Sequence, residues 1–247
     1  MRLRLPRLAP ALLPALCAAS LLSAAPAPPE RAPKSKVAYV YDKDKAAADT
    51  FKKLLDDDRL PTDLVPVAEL GKADLKAYTL VLIGSDTGKA AAEAAKALED
   101  LKKPTLALGE GGYSYLGALR LAIGAPHGWH GTRTSLSACG ASTEKFWTSC
   151  QVKLPEGKAL AVYKASGHVG IHLPSPPGDV ALLGREANDA THYVLVKQGP
   201  RHVLWGFTAG PDQMTAEGIG GAEFVALATH IPHPREQVGD DKITQSG

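Results

Sequence analysis

The residues of this chain able to do chemistry gather around two glycine-rich turns. Asp86 lies in Gly84-Ser85-Asp86-Thr87-Gly88 and Glu110 in Gly109-Glu110-Gly111-Gly112, each directly after a short apolar run. If one sheet edge carries both turns, the two carboxylates are placed for paired acid and base work. A plainer role also exists: a carboxylate in the first turn of a helix is favoured by the helix dipole by roughly 0.3 to 1 kcal/mol. Backbone amides exposed at a helix start suit an anion or a carbonyl oxygen. The first turn lacks the Gly-Lys-Ser/Thr ending of a nucleotide phosphate loop, and Lys89 alone does not replace it. Ser114, one turn beyond the second glycine cluster, reads as a helix-surface hydroxyl.

Histidines form the second group. His127 and His130, in His127-Gly-Trp-His130-Gly131, follow the Glu110 turn closely enough to line the same cleft. The alternative is a tight turn that packs Trp129. His168 and His172 stand four residues apart, a metal spacing only on a helix, and Gly170 between them points to a strand. In a strand they share a face about 13 Å apart, too far for one ion. No metal and no cofactor is expected.

These groups need elements to hold them. Val37 to Tyr41 is an apolar run suited to a strand buried on both faces, and Ala47, Phe51, Leu54 and Leu55 follow at helical spacing behind Asp42 or Asp44 as a cap. Leu64 to Val67 and Leu80 to Ile83 read as strands, Ala90 to Lys102 as a helix of strong helix formers, and Thr105 to Leu108 as a further strand running into the Gly109 turn. Strand and helix alternating in this way imply a parallel sheet with right-handed crossovers. After Ile123 the pattern becomes β-rich, with strands expected at Ala159 to Tyr163, Val180 to Leu183, His192 to Val196 and His202 to Phe207. A closing helix is expected from Thr215, a suitable cap, to Ala228.

Arg2, Arg4 and Arg7 precede an apolar stretch ending in Ser23-Ala24-Ala25, the layout of a signal peptide over 1–25. The stretch is short and broken by Pro10 and Pro14, against the roughly 20 apolar residues of a membrane span. We therefore expect a secreted or periplasmic protein with no stable span after cleavage, a Pro-rich linker over 26–36, one α/β domain over 37–230 and a flexible tail over 231–247. Cleavage removes Cys17 and leaves Cys139 and Cys150, which in an oxidising compartment are expected to pair. Net charge is +2 with no basic block beyond the first residues, which excludes a nucleic-acid footprint.

Pro104-Thr-Leu-Ala-Leu-Gly109-Glu-Gly111 resembles the Pro-x-Leu-Gly-Ile-Cys-x-Gly elbow of the class I glutamine amidotransferase-like family. Trp205-Gly-Phe207-Thr-Ala-Gly210-Pro211-Asp212 resembles the family's closing Gln-Phe-His-Pro-Glu segment. The resemblance implies a flavodoxin-like three-layer α/β sandwich around a mainly parallel sheet, with a β-rich C-terminal extension. In active members a cysteine attacks the glutamine amide, a histidine moves the proton and an acid orients the histidine. Here the cysteine position reads Gly109 and the histidine position Ala209 or Gly210, with only Asp212 near the acid position. The resemblance thus implies the fold without glutaminase chemistry.

The expectation is an exported, non-catalytic domain serving as a small-ligand binding or protein-interaction module, with an unknown small ligand or an envelope protein as partner. Its expected ligand contacts are Ser85, Asp86, Gly109, Glu110, Gly111, Gly112, His127 and His130, with an anionic or amide-bearing ligand on the Gly111 and Gly112 amides. The alternatives are an exported hydrolase using Glu110 or Asp86 with His127 or His130, and a structural subunit of an envelope complex.

Overall fold

The computed structural model describes residues 36–125, 130–132, 136–138, 141–154, 159–164, 168–186, 189 and 191–230. The expected signal peptide, all of the expected linker but residue 36, the expected tail, His127 and Cys139 lie outside them. Its centre is a sheet of uninterrupted apolar strands. β1 (Val37–Tyr41), β3 (Leu80–Ile83), β4 (Thr105–Leu108) and β11 (His202–Trp205) are buried along nearly their whole length. With β2 (Thr62–Pro66) they run parallel in the order β2-β1-β3-β4-β11, with Tyr39 beside Leu82 and Leu106 beside Val203. The neighbouring parallel arrangement expected for β1, β3 and β4 is what the structure has. The second strand starts at Thr62, two residues before the apolar run that announced it, because Thr62 and Asp63 already pair with Val37 and Ala38 of β1; the Asp63 side chain meets Lys36 and the Tyr78 hydroxyl.

Helices cover both faces. α1 (Lys45–Asp57) turns Ala48, Phe51 and Leu55 onto one face, where α5 (Ala216–His230) and α4 (Ala141–Ser149) join it. Three exposed i,i+4 pairs, Lys45–Asp49, Lys52–Asp56 and Lys53–Asp57, line its outer side and add a few tenths of a kcal/mol each. On the other face α2 (Gly88–Asp100) and α3 (Gly109–Ala118) bury Ala91, Ala95, Leu98, Tyr115 and Leu116. The result is a three-layer sandwich. Thr215 caps α5 as expected, its hydroxyl accepting from the Gly218 amide at 3.0 Å.

The β-rich half extends the sheet antiparallel. β10 (His192–Gln198) pairs with β11, and β9 (Val180–Glu186), β6 (Leu136–Ala138) and β7 (Ala159–Ala161) follow outward. β5 (His130–Thr132) pairs with β8 (His168–His172), which joins β10 through His172 and His192. The sequence pattern did not announce α4. It carries Phe146 and Trp147 inward from a short segment that mixes strong and weak helix formers, so tertiary burial decides its state. Cys150, just past α4, is a free thiol whose acidity burial suppresses, pushing its pKa up to about 12. The structure thus shows no disulfide at Cys150 where one with Cys139 was expected.

At the edge of the sheet away from the glycine turns, Glu99 of α2 binds both Arg201 and His202 at the start of β11. Burial holds the His202 pKa below its ordinary value; Glu99 opposes that shift and Arg201 reinforces it. A neutral buried imidazole that protonates more readily when unfolded contributes stability above the unfolded pKa of about 6.5, and that stability falls as pH drops through this value toward the lower folded pKa. Chemical denaturation between about pH 7.5 and 5 is expected to show this loss in the native chain and a flatter profile in His202→Gln. Equal slopes would remove His202 as the cause.

Candidate functional site

The strand order 2-1-3-4 reverses direction between β1 and β3, and in such sheets ligands bind outside the carboxyl ends of the strands near that point. The structure has a cleft of about 100 Å³ at this edge. Its apolar wall is formed by Tyr39, Phe51, Leu108 and Phe207 and its polar wall by Asp44, Ser85 and Asp86. The start of α1 closes one side and Thr208 and Ala209, after β11, the other.

Asp86 has a defined structural task. Its Oδ2 accepts from the backbone amides of Asp42, Lys43 and Asp44 at 3.0, 2.7 and 2.6 Å. Three successive amides form a concavity of the kind that binds anions, and here the protein's own carboxylate fills it. Asp86 therefore pins the β1–α1 turn and is not half of an acid–base pair with Glu110. Asp44 caps α1, its Oδ1 accepting from Ala47 at 2.9 Å.

Gly109 stands at the bend where β4 runs into α3. It opens α3 with φ +49°, a backbone conformation natural to glycine, and a Cβ there would lie inside contact distance of Ser85 Oγ and 2.9 Å from Ser85 Cβ. Ser85 thus stands in the space that a side chain at 109 would need, and its hydroxyl has no hydrogen bond among the described residues.

The following glycines serve packing. The Gly111 amide donates to Ser85 O at 2.9 Å, and a Cβ on Gly111 would meet Thr87 Oγ1 at 2.5 Å. A Cβ on Gly112 would meet Ala107 Cα at 2.8 Å. Both let α3 press onto the Gly84 loop and β4, so Gly111's amide is not the anion cradle that was expected and Gly112 is a packing residue. Glu110 is exposed and stands where the helix dipole favours it. The Gly84–Gly88 loop is closed on itself, with the Thr87 hydroxyl donating to Gly84 O at 2.8 Å. Of the residues expected to contact ligand, Ser85 and Asp86 line the cleft and Gly109 abuts it through Ser85. His130 lies in β5, described through its backbone only, and His127 is outside the described residues.

Tyr39 is the residue that pattern reading missed. It is 2% exposed, its ring stacks on Phe51 at 5.4 Å, it lines the cleft, and its hydroxyl makes no hydrogen bond among the described residues. Burial, reinforced by Asp86 and Asp44, holds its pKa far above the ordinary phenol value. It remains protonated and offers one donor and one acceptor. A second polar group lies where β10 begins: His192 Nδ1 sits 2.7 Å from Asp189 Oδ2, and the His172 ring is 5.0 Å from that of His192. The Thr191 amide and hydroxyl, then His192, hold the Asp189 carboxyl down to about 2. This pair orients an imidazole, as the hydrolase alternative required of His127 or His130, but with residues the sequence had not singled out.

No protein-family model matches the sequence, and no curated protein matches it significantly. Among solved structures the chain is similar to a protein described as a GMP synthase subunit from Thermoplasma acidophilum, at 12% identity and TM-score 0.49, covering 79% of this chain and 94% of that one. It is similar to a glutamine amidotransferase from Thermotoga maritima at 13% identity and TM-score 0.46, covering 70% and 75%. It is also similar to PurLQS from Thermotoga maritima at 16% identity and TM-score 0.46, covering 78% of this chain and 97% of that one.

Proposed function

We propose that the protein is an exported, non-catalytic α/β domain of the class I glutamine amidotransferase-like type that binds a small ligand in the cleft at the carboxyl edge of its sheet. The observation that carries the reading is the elbow. Gly109 has no side chain to attack a carbonyl, and Ser85 occupies the space that a nucleophile at 109 would use. A serine activated for attack needs a base within hydrogen-bond reach, and the carboxylate next to Ser85 is committed to three backbone amides. Ala209 and Gly210 have no group that moves a proton. Export is supported by the arginine-led apolar N-terminus of the sequence.

The expected outcome is no ammonia release from glutamine or simple amides by the purified protein, together with thermal stabilisation by at least one member of a small-metabolite panel. A ligand at 100 times its dissociation constant adds about 2.7 kcal/mol. Glutamine turnover abolished by one point substitution, or a panel without a single shift, would contradict the proposal.

A further inference from the structure

We propose that the cleft at the carboxyl edge is selective for a small primary ammonium group on a short apolar body; this rests on the binding reading above and assigns its ligand class. Three independent features point the same way. The first is charge. Asp44 and Asp86 both line the cleft, and no lysine or arginine is among its lining residues. The one set of converging backbone amides that would attract an anion, those of Asp42, Lys43 and Asp44, is already occupied by Asp86. An incoming anion would meet carboxylates without a counter-charge.

The second feature is the pair of unused hydroxyls. Tyr39, 2% exposed, and Ser85 both line the cleft, and neither hydroxyl makes a hydrogen bond among the described residues. Neither hydroxyl is among the sealed-in orphan polar atoms, so both are open to a ligand, and an ammonium with three donors suits two hydroxyl acceptors and the Asp44 carboxylate. The third is the aromatic wall of Tyr39, Phe51 and Phe207, which attracts a cation to its ring faces and accepts a short alkyl chain. The volume of about 100 Å³ sets the size. It is smaller than the roughly 150 Å³ cavity that takes a benzene.

The test is an NMR titration of the full chain with three molecules of matched shape: propylammonium, 1-propanol and propionate. Propylammonium is expected to perturb the amides of residues 42–47, 84–87 and 207–209, and to bind at least about tenfold more tightly than either of the others. Asp44→Asn keeps an N-cap side chain on α1 while removing the charge, and is expected to weaken propylammonium about tenfold. Tyr39→Phe keeps the stacked ring and is expected to weaken it about fivefold. Propionate or propanol binding these amides as tightly as propylammonium overturns the ammonium assignment and leaves the binding reading standing. So does propylammonium binding that both substitutions leave unchanged. If none of the three perturbs these amides, the ammonium assignment falls, and the binding reading is then decided by the metabolite panel.

Discussion

Gly109→Cys is expected to yield a destabilised protein without glutaminase activity, although it writes the nucleophile of the resembling family into the elbow. Two costs add. A non-glycine residue held at φ +49° costs about 1 to 3 kcal/mol, and a Cβ pressed onto Ser85 costs about 1 to 3 kcal/mol more. At roughly 2 to 4 °C per kcal/mol for a domain of this size, the melting temperature should fall by about 4 to 24 °C. Ser85→Gly in the Gly109→Cys background removes the atoms in conflict and should recover the packing share of that loss, which a double-mutant cycle isolates as a coupling energy of about 1 kcal/mol or more. Additive effects of the two substitutions would mean that Ser85 does not fill the elbow.

Asp86→Ala is expected to have the next largest effect. It leaves three consecutive amides without their shared acceptor, and bonds to a charged group are worth about 1.5 to 3 kcal/mol each before water replaces part of them. Because the turn is open to solvent, a net loss of about 2 to 3 kcal/mol is expected, with hydrogen exchange of the amides of Asp42, Lys43 and Asp44 accelerating well beyond the global change. Asp86→Asn keeps a neutral acceptor and should lose about half as much. A free catalytic carboxylate would behave differently, since its removal would alter activity and leave those amides protected. Unchanged exchange in Asp86→Ala would refute the pinning role.

The central sheet was legible because β1, β3 and β4 are nearly pure apolar runs and can be buried only between two helical layers. α4 was not, since Ala141–Ser149 mixes helix formers with Ser, Thr and aromatic residues and has no clear apolar period, and its state depends on burying Trp147 against distant elements. The site was legible in part. Ser85 and Asp86 stand in a loop whose composition marks it, and strand order carries that loop to the cleft. Tyr39 looked like one more core residue of an apolar strand. Its hydroxyl is distinguished only when the segment after β11, some 170 residues on, comes to lie across from α1. Glycine clusters suggested free amides at Gly111 and Gly112, whereas their lack of a Cβ serves close helix packing. An anion site read from such amides was therefore read from the wrong property of glycine.

The most direct test of the central claim is an amide-resolved NMR experiment on the isotope-labelled protein with a small-molecule library that includes glutamine, following ligand signals over time. The account predicts perturbations concentrated at residues 42–47, 84–87 and 207–209 for the ligands that bind, and no conversion of any of them. Perturbations confined to other surfaces, or appearance of a hydrolysis product dependent on Ser85, would contradict it.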